Sequence, residues 1–459
     1  MPTAAEQLAR FAASIRYEDL PGPVAAKAKL LMLDALGIAL AASRTPLATA
    51  IHAVGSSLGA GGACTAVGSR VRLPAPNAAL VNGALIHALD FDDTHSPSLM
   101  HVSAPVVPAA LAGAEEGGRS GREALAAMVA GVEAMVRVGL AAPDAFHARG
   151  FHPTAIGGTL GAALAYGKTR GLGAERLAWA LGIAGSQAAG LMEFLSDGSP
   201  VKVFHPGWAA HGGMVAALLA ERGVRGPATV LEGRFGLLRS HLGEGNFNAS
   251  ALVAGLGERW ETLEVSFKPY PCGHVIHPFL DAALTLRREG GFGPEGEGVE
   301  EVTCFAPPGA VRLVGEPAER KRAPQSDYEG KFSLPYSIAC ILARGRCGVD
   351  EYSEEAIRDP AILSLAARVR VVPGEFPEYP RSFPGRVRIR LKDGRTLERE
   401  EKHNRGSPAH PLTGEEVETK FLDNARRSVD GERVRQIGEA VLRLEGEPGV
   451  GPLMALLAF

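Results

Sequence analysis

The stretch "HALDFDDTH" (87–95) gathers His87, Asp90, Asp92, Asp93, Thr94 and His95 at the end of the small and apolar run "NAALVNGALI", and His101 follows just before the next apolar segment. A helix over 76–91 puts His87 and Asp90 on one face. A carboxylate beside an imidazole in a dry cleft fixes the ring's tautomer and raises its basicity, which is what a general base needs. Asp92, Asp93 and His95 also have a plainer reading, the aspartates as caps of the following turn and the histidine as a solvated side chain. Asp90 and His101 fit that reading less well, because their flanks are so apolar.

Three further clusters carry chemistry. In "ARGFHPTAIGGT" (148–159), His152 precedes the proline that opens a helix, where backbone N–H groups attract anions. In "EFLSDGSPVKVFHPGWAAHGG" (193–213), Lys202 lies among Val201, Val203 and Phe204, so its stem packs while its ammonium can meet a carboxylate. In "SFKPYPCGHVIHPFLDA" (266–282), Lys268, His274 and His277 sit at a strand-to-helix junction. His274 and His277, three apart with Asp281 four beyond, have a metal-like spacing, yet no HExxH occurs and two histidines on one helix need a third ligand from elsewhere, so a metal-free site is expected. Taken together, two lysines, several histidines and a carboxylate suit an anionic, polycarboxylate substrate. They also suit proton transfer at carbon next to a carboxylate, where charge develops as an enediolate.

The elements that must hold these residues are helical from residue 1 to about 260 by apolar spacing. "PVAAKAKLLMLDALGIALAAS" (23–43), "REALAAMVAGVEAMVRVGLAA" (122–142), "PTAIGGTLGAALAYGKTRG" (153–171), "GAERLAWALGIAGSQAAGLMEF" (173–194) and "PGWAAHGGMVAALLAERG" (206–223) are apolar on more than one face and are expected to be buried in layers. A mixed block follows: a strand at 298–307, helices at 275–289 and 327–345, and a hairpin, "VRIRLKDGRTLERE" (387–400), around Lys392, Asp393 and Gly394. From Thr413 the pattern is helical again. The 459 residues predict more than one domain, and 46% hydrophobic with 22% charged residues is ordinary for a globular protein. A formal net charge of -3 provides no global field for nucleic acid or an anionic membrane. No apolar run is long enough for a bilayer, the N-terminus does not read as a signal peptide, and the five cysteines are irregularly spaced, so a cytosolic protein is expected.

As a set, "LDFDDTH" with His101, "GFHPTAIGGTLGAA", "DGSPVKVFHPGWAAHGG" and "FKPYPCGHVIHPFLDA" resemble, in order and spacing, the MmgE/PrpD family, which includes 2-methylcitrate dehydratase, cis-aconitate decarboxylase and iminodisuccinate epimerase. The likeness runs over roughly residues 5–455. It implies a mainly α fold, with a large all-helical domain built from both chain ends (1–264 and 406–459) and a smaller α+β lid domain (265–405). It also implies a homodimer without metal or organic cofactor and an active site between the domains. Asp90 resembles the family's active-site carboxylate, oriented on His101, the proton-handling histidine. Thr94 resembles a pocket neighbour. His152 and Lys202 resemble residues that hold or polarise the substrate, and Lys268 the lid-side lysine. His277 and a lid tyrosine, Tyr336 with Tyr328 as the other candidate, are assigned to substrate binding. The loop "HSPSLM" and the "PCGH" segment depart from the decarboxylase pattern on the pocket wall, which bears on substrate identity. The implied activity is that of a cofactor-independent lyase on a di- or tricarboxylate, 2-methylcitrate dehydratase-like first, with dicarboxylate epimerase or cis-aconitate-type decarboxylase as alternatives. A metal-dependent hydrolase or a non-catalytic carboxylate-binding protein is the rival of another class.

Overall fold

The structure, a computed structural model, describes residues 2–379 and 382–459. Helices α1 (Gly22–Ala42), α2 (Ala75–His87), α3 (Ser103–Gly117), α4 (Gly121–Leu140), α5 (Pro153–Thr169) and α6 (Phe204–Glu221) form a layered bundle. Proline occupies the first turn of α1, α2 and α5, where its missing N–H costs nothing. Every residue of α5 except Lys168 is buried, as a helix apolar on all faces requires. The segment expected to be helical over 173–194 is so over Ala174–Ala184; beyond it the chain runs irregularly to a single helical turn, Phe194–Asp197, ahead of the short turn that carries Lys202.

Small residues set how closely these helices cross. A Cβ added to Gly207 of α6 would stand 2.2 Å from the Leu80 carbonyl oxygen of α2, and one added to Gly83 of α2 would stand 2.9 Å from the Gly207 Cα. This crossing brings the C-terminal end of α2, with His87 and Asp90, to the N-terminal end of α6, with Lys202 and His205.

The central block contains α7 (His277–Gly290), β1 (Val299–Ala306), α8 (Leu334–Arg344), β2 (Val369–Pro373), β3 (Gly385–Leu391) and β4 (Thr396–Glu401). The strands form one sheet in the order β2-β1-β3-β4, with β1 parallel to β2 and the other pairs antiparallel. The hairpin pairs Ile389 with Leu397 and Arg386 with Glu400. On β3, Val387, Ile389 and Leu391 point inward while Arg388 and Arg390 face water, the alternation of a one-sided sheet. The helix expected over 327–345 is two helices, Asp327–Lys331 and α8, because Ser333 caps the second and Pro335 opens it. Helices α9 (Gly414–Ala425) and α10 (Gly431–Leu442) return to the bundle, where α9 packs on α1.

Buried apolar side chains form two large groups. One takes residues from Ala4 to Phe267, Tyr328 and the stretch from Val417 to Leu457; the other lies between Tyr270 and Leu391. A two-residue antiparallel pairing, Thr94 with Ser266 and His95 with Val265, ties the loop after α2 to the segment that leads into Lys268. Among the described residues no helix is long and apolar enough to cross a membrane.

Candidate active site

The chain beyond α2 turns at Asp90, whose φ of 52° is left-handed. Aspartate tolerates this region better than most residues. Three successive carbonyls of the turn each receive a lysine from a different segment. Lys331 donates to Leu89 O at 3.0 Å, Lys268 to Asp90 O at 2.9 Å and Lys420 to Phe91 O at 2.8 Å. These carbonyls lie just past the C-terminus of α2, where each needs a partner once buried and where cations also complement the helix dipole.

The turned-out Asp90 carboxylate stands between two ammoniums. Lys202 pairs with its Oδ1, and Lys268 lies 3.1 Å from its Oδ2. Burial would raise the Asp90 carboxyl; the two lysines outweigh it and hold the group well below the usual carboxylate range. Asp90 therefore does not orient His101, as the motif reading had it, because the left-handed turn commits its carboxylate to the lysines. His101 is held by the backbone instead: its Nδ1 is 2.7 Å from the Asp93 carbonyl and 3.3 Å from Thr94 Oγ1. A carbonyl only accepts, so Nδ1 carries the proton and Nε2 keeps its lone pair. Burial, reinforced by Lys268 and Lys202 against the pull of Asp92, puts His101 well below its ordinary value, so the ring is neutral near pH 7.

Asp92 and Asp93 divide the remaining work. Asp92 Oδ2 accepts from His87 Nδ1 at 2.8 Å. Asp93 Oδ1 caps α3, accepting from the N–H groups of Val102 at 2.8 Å and Ser103 at 3.2 Å. The capping reading of Asp93 thus holds, whereas His95 is buried rather than solvated, on Ser98 and Glu261. Burial, and then Asp92 alongside, push the Asp93 carboxyl up to about 7. His152 meets His205 with Nδ1 atoms 3.2 Å apart, and burial followed by Lys202 keeps it neutral.

Asp90, Thr94, His101, His152, Lys202 and Lys268 line one cavity of about 150 Å³. The same cavity is also lined by the apolar side chains Leu99, Met192, Phe194, Leu195, Leu313, Phe332 and Phe383, with Phe332 5.2 Å from the Lys202 ammonium. An outer cleft adjoins it at Phe194, Leu195, Leu313 and Phe332 and carries Arg312, Arg320 and Lys321. Of the four non-glycine residues with positive φ among the described residues, three, Asp90, Leu99 and Asp144, line this cavity. Backbone strain concentrates at functional sites because only surrounding structure can hold it.

Two assigned residues stand elsewhere. His277 is fully buried beneath the cavity wall with Nε2 3.2 Å from Cys272 O. The neighbouring His274 lines the cavity instead; its Nε2 faces the Asn404 amide at 2.9 Å, and its Nδ1 is buried without a partner. Tyr336 is packed in the core of the central block and donates to Glu351 O at 2.6 Å. Tyr328 borders the outer cleft, and the tyrosine that lines the cavity is Tyr379. Sequence reasoning also passed over His147 and Lys331. Nothing in their spacing distinguishes them, and Lys331, between Gly330 and Phe332 with Glu329 and Ser333 beyond, lacks the apolar flanks of Lys202.

Comparison with known proteins places the chain in a family. The MmgE/PrpD N-terminal domain matches residues 6–250 and the MmgE/PrpD C-terminal domain residues 270–445. A cis-aconitate decarboxylase of Aspergillus terreus is 30% identical, over 98% of this chain and 95% of its own length. The cis-aconitate decarboxylase of Homo sapiens is 30% identical over 84% of this chain and 80% of its own length. The cis-aconitate decarboxylase-like protein oryM of Aspergillus oryzae is 28% identical over 98% and 96%. Apart from Lys268, every residue that lines the cavity falls within one of the two domain matches, and the chain belongs to the MmgE/PrpD family.

Proposed function

We propose that this chain decarboxylates a small unsaturated tricarboxylate of the cis-aconitate kind, without metal or organic cofactor. The chain is an enzyme of the lyase class; the bond it breaks is the proposal. The observation that carries it is one cavity whose lining combines ammoniums and a neutral imidazole with apolar side chains, Phe332 lying 5.2 Å beneath the Lys202 ammonium. The relatives named as decarboxylases favour this reaction over the dehydration that the motifs alone put first.

In such a substrate one carboxylate sits on a methylene next to a carbon–carbon double bond, and the far end of that bond carries another carboxylate. Loss of carbon dioxide leaves its bonding pair on the methylene. That pair forms a new double bond to the nearer alkene carbon, and the old one is displaced onto the far alkene carbon and into the carboxylate it bears, as an enediolate. Lys202 and Lys268 stabilise that charge as it develops. The apolar side chains remove water from the departing carboxylate. The proton that ends the reaction comes from His101 Nε2. Because His101 is neutral when the site is empty, that nitrogen must first gain a proton, and bringing three carboxylates into a site whose Asp90, Asp92, Lys202 and Lys268 already balance favours that gain. Removing a positioned acid typically costs 10²–10⁴-fold in rate.

The same reading makes 265–405 a hinged lid over a body formed by 1–264 and 406–459, with the two buried apolar groups as support, and makes the active form a homodimer. The experiment is turnover of cis-aconitate and of 2-methylcitrate, followed by carbon dioxide release and product analysis. The proposal expects carbon dioxide and a five-carbon dicarboxylate from the first and no reaction of the second. Water loss from 2-methylcitrate with cis-aconitate inert would replace it with the dehydratase reading.

A further inference from the structure

His87, His101 and His152 converge from three segments, and one nitrogen of each ring lies within 4.8 Å of the others. Two of the three tautomers are set by what stands behind them. His87 Nδ1 donates to the Asp92 carboxylate at 2.8 Å. His101 Nδ1 donates to the Asp93 carbonyl. Both rings therefore offer an Nε2 lone pair. His87 Nε2 is buried without any hydrogen-bond partner, and the side chain is wholly enclosed. An enclosed nitrogen with no partner is costly unless something occupies it at some stage. His152 stacks on His87 at 5.7 Å between ring centroids and leans on His205 from behind.

The geometry points to a binding site for a first-row divalent transition cation, zinc above all, on His87, His101 and His152, one that silences the enzyme. Neutral imidazoles select zinc, cobalt or nickel over magnesium and calcium, which prefer oxygen. A carboxylate behind one ligand and a carbonyl behind another are the usual outer supports of metal-bound histidine. Tetrahedral zinc with bonds of about 2.0–2.1 Å needs its nitrogens about 3.3 Å apart, so the rings must close in by about 1.5 Å at their widest. The nearby charges do not oppose a cation, since Asp90 and Asp92 balance Lys202 and Lys268. The fourth position would face the cavity that His101 and His152 line. Because the metal takes the lone pair of His101 Nε2, it and proton transfer at that atom exclude each other. Binding stands independently of the proposed reaction; silencing rests on it.

The test titrates chelator-stripped full-length protein with Co²⁺ and follows its visible absorption. The inference expects one equivalent with the intense bands of four-coordinate cobalt, displaced by Zn²⁺. His87→Asn and His152→Ala abolish those bands, and Asp92→Asn weakens binding 10–100-fold. Zn²⁺ inhibits turnover in step with occupancy, Mg²⁺ does not, and a chelator restores the rate. Wild-type protein that gives no stoichiometric four-coordinate cobalt spectrum overturns the site whatever the variants do, as do folded His87 and His152 variants that bind like wild type. Full occupancy with undiminished turnover overturns the silencing while leaving the decarboxylase reading intact. A bound metal in a chain inert toward cis-aconitate retains the site and removes that reading.

Discussion

With both lysines held on Asp90, a substrate carboxylate reaches Lys202 or Lys268 only by sharing it with that side chain. Lys202→Met is therefore expected to lower kcat/KM by 10²–10³, the cost of losing one preorganised donor, measured by initial rates with cis-aconitate. Asp93 supplies a pH signature. Its carboxyl is raised from 3.8 to about 7 in the fold, so the folded state holds a proton there that the unfolded chain has already released. That contribution to stability is complete below the unfolded value and is lost as pH rises toward about 7. Asp93→Asn keeps an oxygen for the N–H groups of Val102 and Ser103, and is expected to remove that decline in a denaturant series across the same window. Residue types were the most readable part of the site: Asp90, His101, Lys202 and Lys268 stand out because charge is rare in such apolar surroundings. The choice between His274 and His277 was not readable, since both occur on one short stretch. A 3₁₀ turn over His274–Ile276 ahead of α7 turns the first toward the cavity and the second beneath its wall.

At the scale of elements, the contact between α2 and α6 governs how far Lys202 stands from Asp90. A methyl group on Gly207 meets the Leu80 carbonyl at 2.2 Å, so Gly207→Ala is expected to cost about 1–3 kcal/mol and to lower kcat by displacing Lys202. Thermal unfolding and initial rates check both. The lysine triad on the α2 turn makes a separate prediction: Lys331→Met leaves Leu89 O without its partner and loosens the turn that aims Asp90. Its expected result is a lower kcat with KM little changed, because Lys331 is not among the residues that line the cavity. Helices α1, α4, α5 and α6 and the β3–β4 hairpin were legible from periodicity and turn residues. The break at Phe332 and Ser333 was not drawn, although a capping serine two residues before a proline signals a helix start. Tyr336 was misplaced because an apolar helix face carries it inward. Tyr379 lies in an irregular loop that offers no period to read.

For the whole molecule, the account is that a helical body presents Asp90, His101, His152 and Lys202 while the segment after it brings Lys268 and His274 across, enclosing a carbanion between ammoniums and apolar side chains. Composition and charge argued against a nucleic-acid or membrane surface as partner, but the meeting of residues more than a hundred positions apart depends on helix crossings that no local pattern encodes. Here the resemblance to a family supplied what periodicity could not. The most direct test is decarboxylation of cis-aconitate in deuterium oxide, read by nuclear magnetic resonance of the product. The account predicts a five-carbon dicarboxylate with one solvent deuterium on its saturated methylene, the former double-bond carbon at the far end from the lost carboxylate, formed at least 10²-fold more slowly by His101→Ala. Product free of deuterium at that carbon, or His101→Ala turning over as fast as the native chain, would contradict it.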